Sequence, residues 1–282
     1  ILKGGIMLET LAFGYGLLEG PRVDAADNLY FSDVPNGGVY RRSPNGEVTV
    51  AIPKRRGVGG IALHADGGLV VGGRNICHVK DGQTRILFQR EDIPGFNDLF
   101  TDRAGRVFVG TLRSDPFKAG ARTPGELLRI NSEGNVTVMY GDVGLTNGIG
   151  FSPDEKILYH ADSAGPHLIV HDVMPDGTMK NRRAIAQMAE GTIPDGICVD
   201  EAGCIWVAVY GGRCVARYTP DGKVDSKIEV PAKAVTSVCF GGKDRRDLYI
   251  VTADNTEVPD RKGTIFRTRV ETPGVAVALA RV

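Results

Sequence analysis

The sequence predicts an all-β fold, a six-bladed β-propeller of four-stranded antiparallel blades in one domain spanning residues 1–282. Three observations carry that reading. One pattern of short β-branched and aromatic runs recurs six times along the chain, at intervals of ~40 to 50 residues, the period of a propeller blade. Glycine-bearing turn dipeptides separate the runs, and glycine fills 38 of the 282 positions, about twice its usual share. No stretch shows a helical hydrophobic period.

The copies run in order. DAADNLYFSDVPNGGVYRRSPNGEVTV, from Asp24, sets the run Leu29-Tyr30-Phe31 after an acidic turn and carries Asn45-Gly46. HADGGLVVGGRNICHVKDGQTRIL, from His64, carries Asp81-Gly82. The third copy joins DRAGRVFVGTL, from Asp102, to GELLRINSEGNVTV across the longest irregular stretch, LRSDPFKAGARTPGE. SPDEKILYHADSAGPHLIVHDVMPDGTM, from Ser152, carries Asp176-Gly177. DEAGCIWVAVYGGRCVARYTPDGKV, from Asp200, contains the run Ile205 to Val209 and Asp221-Gly222. The sixth copy pairs GGKDRRDLYIVTADN, from Gly241, with KGTIFRTRV. The four Asx-Gly dipeptides suit two-residue hairpin loops. A blade cannot bury both faces alone, so six must stack around an axis. Segment 1–18 and the tail Val275 to Val282 fall outside the pattern, and one of them supplies the ring-closing strand; which one stays open at this level.

Composition narrows the partners. With 34 basic and 34 acidic side chains the net charge is zero, so neither nucleic acid nor an anionic membrane surface is expected as a partner. No apolar run approaches the ~18 residues that cross a bilayer. The opening ILKGGIMLETLAFGYG shows no signal-peptide pattern, and the five cysteines lack CxxC spacing and sit mostly in apolar runs. They read as buried free thiols, and a cytoplasmic location is expected.

Aligned on their first strand, the repeats begin at Glu19, Gly59, Asn97, Asn147, Asp195 and Thr236. Two and four positions later the residues are apolar in nearly every copy. In a propeller the first strand of each blade lies innermost, so this leading column converges on the axis although its members are far apart in the chain. Glu19, Asn97, Asn147 and Asp195 would then share one channel mouth, where two carboxylates repel each other unless a cation sits between them. An all-oxygen set suits Ca²⁺, Mg²⁺ or Mn²⁺ better than structural zinc. Four protein ligands leave room for water and substrate. The next polar column, Asp24, His64, Asp102, Ser152, Asp200 and Gly241, reads as ordinary turn formation.

At these residues the chain resembles the gluconolactonase and senescence-marker-protein (regucalcin) family of six-bladed propellers. The resemblance lies in LLEGPRVDAADNLYFSDV, FNDLFTDRAGRVFVGT, TNGIGFSPDEKILYHADS and PDGICVDEAGCIWVAVYGG, which fall in four separate repeats. It implies one divalent cation, calcium foremost with zinc, manganese or magnesium as other candidates, held by Glu19, Asn147 and Asp195. Asn97 is implied as a fourth ligand or a substrate contact. It further implies hydrolysis of a small-molecule lactone or ester: the cation polarises the carbonyl and Asp195 activates water, or attacks as a nucleophile. Asp98 and Asp115 are implied to bind substrate. Ester hydrolysis of organophosphates and a non-catalytic calcium-binding role are the alternatives.

The chain departs from that family at Gly95, where sugar lactonases carry an arginine, and the loop LRSDPFKAGARTPGE is expected to set specificity. There is no GxSxG elbow. His167 and His171 do not read as zinc ligands, Gly57-Val58-Gly59-Gly60 lacks the helix of a nucleotide loop, and Lys54-Arg55-Arg56 reads as a solvated turn.

Overall fold

A computed structural model describes residues 7–118 and 120–282. It contains six four-stranded antiparallel sheets, arranged as a six-bladed β-propeller. The innermost strands are Leu18–Val23, Ile61–Leu63, Gly95–Thr101, Thr146–Phe151, Ile193–Val199 and Val235–Gly241. Each neighbours the next around the axis, and the sixth returns to the first. The following strands of each blade step outward in chain order. Among the described residues the only helical turn is the 3₁₀ segment Pro259–Arg261, and no helix is long and apolar enough to cross a membrane.

The ring is closed by the N-terminal segment. Strand Glu9–Tyr15 pairs antiparallel with Gly263–Arg269 and becomes the outermost strand of the sixth blade. Residues 1–6 of the segment considered for this role lie outside the described residues. The tail does something else: Val275 N donates to Val199 O, Ala280 N to Leu63 O and Arg281 N to Gly105 O. These acceptors lie at or beyond the trailing ends of inner strands, so the tail covers the end of the channel opposite the leading column. Val275, Ala276, Val277 and Ala278 line a cavity of only about 50 Å³ there.

The apolar side chains group by blade interface. Six buried clusters fill the six interfaces, for example Ala62, Val70 and Ile76 against Phe96, Leu99 and Val109, and Tyr159 and Val170 against Ile197 and Val207. Both faces of each sheet are therefore covered, which is why the inner and second strands read as nearly continuous apolar runs.

The turns differ from the dipeptide expectation in three of four places. Only Asp81-Gly82 is a two-residue loop with both residues at positive φ, between the paired Lys80 and Gln83. At Asn45-Gly46, Asp176-Gly177 and Asp221-Gly222 a type I turn precedes a glycine at φ +79° to +95°. There the amide of Gly46, Gly177 or Gly222 donates back to Ser43, Met174 or Thr219. The polar column is turn chemistry, as expected. Asp24 accepts from the amides of Ala26 and Asn28, Asp102 from Arg106, and Ser152 from Ile157. Asp200 does more: fully buried, it also binds Trp206 Nε1 at 2.9 Å and Arg217 Nε at 2.8 Å.

Five inner strands share an irregularity. One extra residue is inserted between Glu19 and Arg22, Phe96 and Leu99, Thr146 and Ile149, Pro194 and Ile197, and Val235 and Ser237. In four of them the bulge contains the leading residue and turns its side chain out of the sheet's alternation, and in the first it follows directly on Glu19, which stays paired with Ser32. The bulged backbones also approach one another closely. A Cβ on Gly148 would overlap Ile197 N, and one on Gly196 would overlap the Ser237 side chain. Gly148→Ala is expected to destabilise by about 3 kcal/mol, the upper range for overpacking, because the obstacle is backbone. Gly150→Ala, whose Cβ would meet the movable Val199 Cγ2 at 3.2 Å, is expected to cost much less. Urea unfolding of the two variants measures the difference, and equal losses would contradict the close-approach account.

Candidate active site

The bulges deliver Glu19, Asn97, Asn147 and Asp195 to one cavity of about 540 Å³ at the open mouth of the channel. The two other members of the column are accounted for by packing. A Cβ on Gly59 would overlap Asn97 Oδ1, so this position is vacated for the Asn97 amide. Thr236 Oγ1 donates to Leu18 O at 2.6 Å and Val251 O at 3.0 Å and ties the sixth blade to the first.

A hydrogen-bond relay orients the carboxamides. Asn97 Nδ2 donates to Thr146 O and to Asn147 Oδ1, each at 2.7 Å. Asn147 Nδ2 donates to Ser163 Oγ at 2.7 Å, and Ser163 Oγ donates to Pro194 O at 2.6 Å. Asn147 is thereby held with its amide nitrogen in the wall and its oxygen inward, with one lone pair beyond that used by Asn97. Asn97, expected as a ligand or substrate contact, directs its nitrogen to Asn147 and its oxygen over Gly59. In this arrangement it supports Asn147 and lines the cavity. Ser163 escaped the reading of the sequence. Its signal is the Asp162-Ser163 pair ending an apolar strand; in blade 1, Ser32 makes a comparable bond to Val58 O at 2.6 Å.

The carboxylates are buried and poorly compensated. Glu19 is 8% exposed, and the amide of Gly20, at 3.3 Å, is its one hydrogen-bond donor. Asp195 is 6% exposed and its Oδ1 has no hydrogen-bond partner. Burial, then the charges of Asp195 and Asp98, push the Glu19 carboxyl well above the usual range. Burial, then Asp98, do the same to Asp195. Among the described residues no three His, Cys, Asp or Glu side chains converge as a metal cluster. An ion at this mouth would therefore depend on the Asn147 carboxamide oxygen as well as on Glu19 and Asp195.

Asp98, expected to contact substrate, is not among the residues that line the cavity. It sits with Asn97 in the bulge of this strand and is buried next to Arg22. Its Oδ1 accepts from Leu99 N at 2.8 Å and stands 3.9 Å from Arg22 Nη2, which itself donates to Leu99 O. Burial outweighs Arg22 and holds the Asp98 carboxyl at about 6. Asp115 does line the cavity, on the loop after the second strand of blade 3. Its Oδ1 caps Phe117 N at 3.0 Å, its Oδ2 lies 3.6 Å from Lys118 Nζ, and Phe117 projects, 72% exposed, along the cavity rim. Gly95 lines the same wall without a side chain.

Of the two histidines discounted as zinc ligands, His167 turns Nδ1 to Gly165 O and His171 is buried. His171 stacks on Tyr140 with ring centroids 3.9 Å apart. His160 bridges Tyr140 Oη and Thr146 Oγ1 at 2.7 and 2.6 Å, and burial holds it neutral, near 3. All five cysteines are free, four of them buried.

Fold and mouth together define a six-bladed propeller with an oxygen-lined axial cavity of small-molecule size. The chain belongs to the SMP-30/gluconolactonase/LRE-like family, whose model matches residues 17–254. It is 34% identical to a 6-deoxy-6-sulfogluconolactonase of Pseudomonas putida over 89% of this chain and 90% of that protein. It is 32% identical to a pentonolactonase of Haloferax volcanii over 87% and 88% of the two chains. The crystal structure of a calcium-binding protein, regucalcin, from Agrobacterium tumefaciens superposes with a TM-score of 0.86 at 23% identity, covering 99% and 98% of the two chains.

Proposed function

We propose that this protein is a divalent-cation-dependent hydrolase that opens the ring of a sugar-acid lactone or a related small lactone. The observation that carries the reading is Asp195 Oδ1, buried and without a partner beside the equally buried Glu19 in a cavity of about 540 Å³. Such a pair is costly to maintain without a cation and is readily explained as a site for one. Glu19, Asn147 and Asp195 would hold it, and the all-oxygen donor set fits a hard ion, Ca²⁺ foremost. When bound, such an ion supplies Lewis-acid polarisation of a carbonyl oxygen. The two lactonases similar to this chain support the reaction class.

The chain's own groups supply the rest. Asp195 takes a proton at a carboxylate oxygen from the water that attacks the lactone carbonyl carbon. As the ring C–O bond breaks, that proton passes to the departing ring oxygen, leaving a hydroxy acid. Ser163 and Asn97 fix the Asn147 amide, and the tail covers the opposite end of the channel.

The test is titrimetric hydrolysis of aldonolactones with and without a chelator. Activity lost with chelator and restored by Ca²⁺, Mn²⁺ or Zn²⁺ is expected; full activity after complete removal of metal would sink the reading. Ser163→Ala, which frees the Asn147 amide, is expected to weaken cation affinity about tenfold or more, the usual effect of removing an outer partner. Calorimetric titration of the ion measures it, and an unchanged affinity would deny Ser163 that orienting role.

A further inference from the structure

We infer that Arg56 and Arg74 form an anion-reading wall of the mouth cavity, so that the preferred lactone carries a carboxylate, sulfonate or phosphate at the end remote from its ring carbonyl. The inference rests on the lactonase reading above and specifies its substrate. Both arginines line the cavity that holds Glu19, Asn147 and Asp195. Arg56 lies on the connection from blade 1 into blade 2 and Arg74 on a hairpin of blade 2, and their backbones meet: a Cβ on Gly73 would lie 3.1 Å from Arg56 O and 3.6 Å from Gly57 O.

Their neighbour Arg55 shows what a structural arginine looks like here. Its Nε donates to Gly72 O at 3.0 Å, and its Nη2 donates to both Asn75 O and Asn75 Oδ1 at 2.7 Å, pinning the two loops together. Arg56 and Arg74 make no such bonds. Among the described residues neither forms a salt bridge, and both are exposed residues of the cavity lining. The expected solvated turn at Lys54-Arg55-Arg56 thus divides into a wall-building arginine and a cavity-facing one.

The charges around them leave the pair uncompensated. A divalent cation between Glu19 and Asp195 cancels those two carboxylates. The third acid of the cavity, Asp115, is engaged by Phe117 N and faces Lys118. Two guanidiniums at one wall match an oxyanion with paired acceptors. Reach is suitable too. Gly59 abuts Asn97 at the reacting end, and Arg56 lies three residues before it, at most ~10 Å along an extended chain. That span fits a substituent several bonds from the ring carbonyl, as at the end of a six-carbon sugar acid.

The experiment compares the metal-loaded wild type with the Arg56→Gln/Arg74→Gln double variant on six-carbon aldonolactones differing only at C6: hydroxyl, carboxylate, sulfonate or phosphate. The wild type is expected to favour at least one anionic member over the hydroxyl form by about 30-fold in kcat/KM, in line with hydrogen bonds to charged groups. The preference lies in KM and shrinks as sodium chloride is added. In the double variant it collapses to within about threefold, and calorimetric binding of the ring-opened acids shows the same loss. The ranking of the three anions identifies which oxyanion the wall reads. A wild type indifferent to the C6 group, or a variant that keeps the preference, overturns the inference while hydrolysis of the hydroxyl lactone leaves the lactonase reading standing. No hydrolysis of any member by the metal-loaded protein takes both down.

Discussion

Asp195→Asn is expected to lower lactone hydrolysis by at least about 10³-fold, combining loss of a general base with weaker cation binding, while making the metal-free protein more stable. The two effects come from one feature. Asp195 is buried without a partner for Oδ1 and repelled by Asp98, with Glu19 beside it in the same mouth. An isosteric amide removes that repulsion and cannot accept the water proton. Each kcal/mol recovered would raise Tm by about 2 °C or slightly more in a chain of this size. A side chain held only for packing would not divide the readouts in this way: its replacement would lower or preserve both. The pair of measurements is steady-state hydrolysis with saturating cation and thermal unfolding in chelator. Retention of more than about a tenth of wild-type activity would remove Asp195 from the role of base.

The blade repeat was legible because each blade uses the same local chemistry: alternating apolar strands, Asx and Ser caps at Asp24, Asp102 and Ser152, and glycine after each outer hairpin. What stayed hidden was everything settled between segments distant in the chain. The ring closes through Glu9–Tyr15 because this strand meets Gly263–Arg269, a pairing across almost the whole sequence that no local pattern marks. The same holds for the tail, whose Ala280 bonds the backbone at Leu63 and Ala65.

At the site, the leading column was visible as a phase, but the device that aims it was not. A bulge adds one residue to a strand without changing residue types, so nothing in TNGIGF or PDGICV shows that Asn147 and Asp195 leave the alternation. The bulge likewise hides that Asp98 lies beside Arg22. Arg56 was hidden by company. In Lys54-Arg55-Arg56 three cations look alike, and only the hairpin at Gly72 to Asn75 separates the one that is bonded from the one that faces the cavity.

Stability should respond to pH in opposite senses with and without the cation. Burial raises the carboxyls of Glu19, Asp195 and Asp98 in the folded protein, Asp98 to about 6. A carboxyl whose folded pKa exceeds its unfolded one favours the folded state while protonated in both, and this contribution is lost as pH rises through the folded value. For Asp98 alone, a rise from 3.8 to about 6 corresponds to about 3 kcal/mol, and the other two act in the same direction. Metal-free protein is therefore expected to lose stability as pH rises from about 4, the unfolded value, through about 6, where Asp98 has ionised, with Glu19 and Asp195 extending the loss upward. With the cation present Glu19 and Asp195 would be ligands, and protons compete with it, so ligand stabilisation grows over that interval. Unfolding curves with chelator and with excess Ca²⁺ should thus lie close together in acid and separate as pH rises. In the chelated state, Asp98→Asn should flatten part of the slope, which assigns its share to the carboxyl beside Arg22. Chelated and calcium-loaded curves that stay parallel across the range would mean that these carboxylates do not share an ion, and Glu19 and Asp195 would then need another explanation for their burial at the channel mouth.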